Sequence, residues 1–274
     1  MNRIQEFAKK DTIIFCILAE IVVLGGMMLW GMGLGWMLGM LGCESIDTYV
    51  LQALGEIMGV ILAFVVVKVS GCADVFEKKG IGFGKGLLVG GYFLVLGVYS
   101  AIVFILTYEG DRTLRPWYLI AAYICCMVLV GITEEFLCRG VLAELLLRRY
   151  GATKQGVWKA VIVSGVLFGL AHLSNLVGAW SVGVLVQCVI AAMMGMVFAA
   201  IYFRTGNIRV TVALHAYIDI CAGIVGGLYS GELGEIISGY TPAQLIGVVP
   251  YIIVLCVLLR KKKMDEMLLR MGNG

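Results

Sequence analysis

The stretch Trp117 to Gly140 reads WYLIAAYICCMVLVGITEEFLCRG. No residue from Trp117 to Thr133 is charged, and Glu134 and Glu135 follow at once, with Arg139 four residues further on. A soluble helix would put two acids on a wet face. Here they end an apolar run of membrane length, where an ionisable group marks a functional site by default. Two features then need explaining: how the chain tolerates both acids, and what they face.

The surrounding chain is membrane-like throughout. It has 274 residues, of which 61% are hydrophobic and 14% charged, against about half and about a quarter in soluble domains. Helix-length apolar runs without strand alternation argue for helices over a barrel. Eight segments stand out, near 12–41, 49–67, 87–107, 117–138, 160–173, 180–203, 209–228 and 243–259. The first is longer than the ~7–15 apolar residues of a signal peptide, so a retained helix is expected. Of the 21 Lys and Arg, only Arg112 and Arg115 fall outside the two tails and loops 2–3, 4–5 and 6–7. Basic residues mark the cytoplasmic side. The expected fold is therefore all-α: a polytopic bundle of eight transmembrane helices with both termini cytoplasmic. Pro250 is expected to kink the last helix. Glycines spaced by four, at Gly31, Gly35 and Gly39 and at Gly82, Gly86 and Gly90, are expected to serve close helix packing.

A formal net charge of +3 gives no basis for a nucleic-acid partner. The nine cysteines contain no CxxC pair and lie mostly in apolar runs, which argues against a disulfide framework or a cysteine zinc site. The chemistry-bearing residues inside the spans are few: Glu20, Glu56, Glu134, Glu135, His172, Gln187, His215 and Asp219. His172 and His215 are the only histidines. Phe168 precedes His172 by four, and Asp219 follows His215 by four, so each pair shares one helix face. A carboxylate beside an imidazole fixes its tautomer and raises its basicity. Such a set can hold a water for a carboxylate base or a metal-bound water. The candidate metal ligands are His172, His215, Asp219 and Glu134, with zinc as the candidate ion. Adjacent residues on a helix point about 100° apart, so Glu134 and Glu135 face different targets. Glu135 can pair with Arg139, which leaves Glu134 for the interior; the reverse assignment stays open. Glu20, Glu56 and Gln187 are read as structural.

The ordered set Glu134-Glu135-x-x-x-Arg139, Phe168-x-x-x-His172 and His215-x-x-x-Asp219 resembles the CAAX-protease and bacteriocin-processing family of intramembrane proteases, which includes the Ras-converting enzyme. The likeness covers about residues 115–225. It divides the chain into 1–114 (helices one to three), the 115–225 core, and 226–274 (last helix and basic tail). The resemblance implies an endopeptidase acting near the cytoplasmic face of a cell membrane. Its catalytic residues would be Glu134, Glu135, His172, His215 and Asp219, with Glu134, His172, His215 and Asp219 around the attacking water and Arg139 and Phe168 orienting. The implied partners are membrane lipid and a peptide or membrane-protein substrate; the oligomeric state is open. From the residues alone, a proton-coupled transporter or a non-catalytic scaffold or immunity protein are the rival readings.

Overall fold

The computed structural model describes residues 2–43, 45–78, 80–177, 180–230 and 240–272. Lys79 of loop 2–3 and most of the connection after residue 230 lie outside them. The described chain is all α-helical: α1 (Arg3–Lys10), α2 (Thr12–Met40), α3 (Thr48–Val69), α4 (Phe83–Val89), α5 (Gly91–Thr107), α6 (Trp117–Leu137), α7 (Glu144–Tyr150), α8 (Lys154–Ala171), α9 (Val182–Thr205), α10 (Ile208–Ala222), α11 (Ile224–Leu228), α12 (Val248–Leu258) and α13 (Lys261–Gly272).

Five helical stretches are long and apolar enough to cross a membrane, or seven if each of two bent pairs counts as one span. The expected count of eight differs for a local reason. The segment near 209–228 is α10, 15 residues long, then Gly223 and the short α11. Neither piece alone has the ~20 residues of a span, so a length criterion does not count it, although together they run on to Leu228, whose carbonyl accepts the Arg115 N–H at 2.8 Å beside the start of α6. Large apolar side chains such as Leu29, Trp36, Leu88, Val95 and Leu106 stand exposed on the outside, as a lipid-facing surface requires.

At the centre lies α9, where every residue from Val197 to Phe203 is buried. A helix apolar all round belongs inside. α8 packs along α9, α3 along α6, and α10 lies against α6 and α5. Two local devices set this arrangement. Gly206 takes φ +60° at the end of α9, and the Asn207 side chain accepts the Arg209 N–H at 3.1 Å to start α10. The chain thus turns back within two residues, and Phe198 and His215 come level. The second device is Gly90, where α4 and α5 meet at 69°. A Cβ there would lie 2.2 Å from Leu214 Cδ1, so glycine lets this elbow seat on α10 without displacing the Leu214 side chain.

Three expectations are corrected. Pro250 makes no kink: it sits in the first turn of α12, where its missing N–H is not needed, and the 57° bend falls after Leu258. Gly31, Gly35, Gly39 and Gly82 face open space, where an added Cβ would meet no atom within 4 Å, while Gly86 and Gly90 do pack on Val210 and Leu214. Finally, α6 does not give way to a loop at Arg139. It widens into a π-helical turn over Cys138–Ala143 and continues as α7 to Tyr150.

Candidate active site

The first motif sits where α6 meets the π-helical turn, a feature often found at functional sites. Gly131, one turn earlier, sets its distance from α10: a Cβ there would lie 2.9 Å from the Ala216 backbone nitrogen. This close approach brings Glu134 and Glu135 against His215. Glu135 and Arg139 are both buried, and Arg139 Nη1 lies 2.8 Å from Glu135 Oε1. The same Oε1 lies 2.7 Å from His215 Nδ1.

A carboxylate oxygen accepts, so Nδ1 carries the proton and the other ring nitrogen turns to the remaining acids. His215 Nε2 lies 3.3 Å from Glu134 Oε2 and 3.7 Å from Asp219 Oδ2. The Glu134 side chain is 32% exposed and that of Asp219 24% exposed, whereas Glu135 is fully buried. The cluster therefore opens on the Glu134 and Asp219 side and is closed behind Glu135. Asp219 Oδ2 has no hydrogen-bond partner among the described residues.

Aromatic rings complete the wall. Phe198 stacks on the His215 imidazole, centroids 4.9 Å apart. Phe168 meets both imidazoles edge-on, at 5.0 Å from His172 and 5.9 Å from His215. The Arg139 guanidinium sits 5.0 Å from the Phe168 ring and 5.0 Å from the Phe198 ring, and it donates to the Gly195 carbonyl at 3.2 Å. Gly195 is the shared seat: a Cβ on it would lie 2.8 Å from Phe168 Cδ1. His172 caps the end of α8 with Nδ1 2.9 Å from the Phe168 carbonyl. A carbonyl only accepts, so Nδ1 donates and Nε2 is left as the free ring nitrogen.

The structure thus joins Glu134, Glu135, Arg139, His215 and Asp219 directly, and His172 through Phe168. Counting α8 from residue 160 would place His172 about 10 Å deeper than His215. The helix begins at Lys154 instead, and one ring touches both imidazoles. Glu20 and Glu56 stand outside these contacts; Glu56 accepts the Thr133 hydroxyl on its backbone carbonyl at 3.4 Å. Gln187 accepts from Asn175 at 2.9 Å.

Sequence reasoning misses two features. Phe198 lies in a uniform apolar run and carries no signal. Glu144 falls in a stretch that reads as a loop, although its four-residue spacing to Arg148 is visible. It is buried, bonded to Lys78 at 2.5 Å, to Arg148 at 2.7 Å and to the Tyr202 hydroxyl at 2.7 Å.

Among the described residues no group of three or more His, Cys, Asp or Glu side chains is arranged to hold a metal ion. A zinc site gathers three or four donors about one centre. Here His215 and His172 each donate from Nδ1, to a carboxylate and to a backbone carbonyl, which leaves the two Nε2 atoms as the ring nitrogens able to take a ligand.

The model of the Rce1-like family, type II CAAX prenyl endopeptidases, matches residues 116–221. No curated protein and no solved structure matches the chain. The matched stretch runs from the start of α6 to the end of α10 and holds every residue of the cluster, so over residues 116–221 this membrane protein is similar to the Rce1-like CAAX protease family.

Proposed function

We propose that the chain is an intramembrane endopeptidase that hydrolyses a peptide bond of a membrane-associated peptide or protein in a cell membrane. The observation that carries this reading is His215, held through Nδ1 by Glu135 and turned through Nε2 toward Glu134 and Asp219. Glu134 is the accessible acid and acts as general base. It takes a proton from a water lodged between its carboxylate and the imidazoles. The water oxygen bonds to the carbonyl carbon of the substrate. The resulting oxyanion is stabilised by the His172 imidazole in its doubly protonated form, which donates from Nε2. Collapse breaks the C–N bond, and the proton on Glu134 passes to the departing amine nitrogen. Glu135 and Arg139 do not touch substrate; they position His215.

The test is cleavage of a membrane-anchored peptide library by purified protein, read by mass spectrometry. Wild type is expected to cleave, and Glu134→Gln, His172→Ala and His215→Ala to lose about 10²–10⁴-fold, the usual worth of a general base. Equal cleavage by these variants overturns the reading. Chelator is expected to leave the rate unchanged. Loss on chelation with recovery on adding zinc would put an ion among Glu134, His172, His215 and Asp219.

A further inference from the structure

A second site lies on the outer wall of the same helix pair. Between α6 and α10 runs an apolar groove of about 630 Å³. Val128, Ile132 and Phe136 form one side, one residue per turn of α6. Ala213 and Ile220 of α10 line the other, and Arg209 stands at its end. From Arg209 to Ile220 the α10 wall is ~16 Å long at the helical rise. One leaflet of a bilayer has a hydrocarbon depth of ~15 Å, half the core. The groove is therefore the length of one leaflet, and it is apolar except at one end.

That end is cationic. Arg209 is exposed, and its guanidinium has no hydrogen bond or ion pair among the described residues. Lys85 is likewise exposed, and α4 touches α10 one residue later on each chain segment, at Gly86 and Val210. One acid, Glu77, follows the groove residue Phe76, which leaves a net positive charge. The other basic clusters of this face are partly consumed: Lys78 and Arg148 serve Glu144, and Lys154 pairs with Asp265 at 2.5 Å. An unpaired guanidinium at the mouth of a leaflet-long apolar groove complements an anionic headgroup on an acyl chain.

We propose that this groove binds one anionic phospholipid of the bilayer, with its acyl chain along α6 and α10 and its phosphate on Arg209. The site does not depend on the protease reading. It lies behind the Gly131–Ala216 contact that sets the catalytic cluster, so an occupied groove also fills space beside that contact.

The experiment uses the full chain in nanodiscs of equal phosphatidylglycerol and phosphatidylcholine, released into native mass spectrometry. Wild type is expected to retain one phosphatidylglycerol over phosphatidylcholine by roughly fivefold or more, the worth of one cation at an anionic surface. Arg209→Gln is expected to bring the two lipids to parity. Ala213→Phe, which fills the groove, is expected to remove the retained lipid altogether. Lys262→Gln, in the exposed tail, is expected to change nothing. Circular dichroism confirms that each variant keeps its helix content. Wild-type retention without headgroup preference, or an equal loss in Arg209→Gln and Lys262→Gln, overturns the proposal.

Discussion

Glu135 carries the heaviest electrostatic load of any residue in the site. Its carboxylate is fully buried, and one of its oxygens serves both Arg139 and His215. A buried ion pair is weak evidence of stability, because desolvation offsets attraction, yet removing one partner leaves an uncompensated charge. Glu135→Gln is expected to cost about 3–5 kcal/mol, measured by denaturant titration in detergent. Glu135→Gln with Arg139→Met removes both charges and is expected to recover most of that stability without recovering cleavage. A second residue-scale expectation concerns pH. Asp74 lies outside the spans, in the turn before α4. Burial pushes its carboxyl up, but hydrogen bonding and charge from Arg148, with Lys78, outweigh this and hold it below its ordinary 3.8. A folded-state value below the unfolded one gives stability that is present above the unfolded value and lost as pH falls through the folded one. The stability gap between wild type and Asp74→Asn is therefore expected to stay constant at neutral pH and to close below about pH 4.

At the scale of elements, two glycines in equally apolar helices have opposite consequences. Gly131 meets the backbone of Ala216, which cannot step aside. Gly131→Ala is expected to push α6 off α10, cost about 1–3 kcal/mol as overpacking does, and lower cleavage by separating Glu134 from His215. Gly39→Ala meets nothing. It is expected to be neutral or to stabilise α2 by up to ~1 kcal/mol through helix propensity alone. Thermal unfolding of both variants, with the cleavage rate, checks the pair. Spacing by four is equally legible in both runs of glycines, but which face meets a neighbour is not.

For the whole molecule, the charge map and the helix count make separate statements about topology. The two basic residues off the main side are consumed locally: Arg115 is paired with Asp47, and Arg112 donates to the Ile105 and Tyr108 carbonyls. Neither is free to compete for orientation, so the basic tails are expected on the same, cytoplasmic side. Fluorescent and periplasmic-type reporters fused before Arg3 and after Arg270 check this. Opposite readouts from the two fusions would mean an odd number of spans.

The apolar runs, the all-α class and the cluster members are legible because hydropathy and four-residue spacing are properties of the chain itself. Glu135 and Arg139 can be paired on paper because they share one helix. Convergence cannot, because it depends on contacts between helices. Only the tertiary structure decided that Gly131 brings α6 onto α10, that the Gly206–Asn207 turn sets Phe198 level with His215, and that Phe168 touches both histidines. Pro250 and the run after Arg139 mislead for the same reason. A proline's effect depends on where its helix starts, and buried Glu144 is tolerated only because Lys78 and Tyr202 arrive from distant parts of the chain.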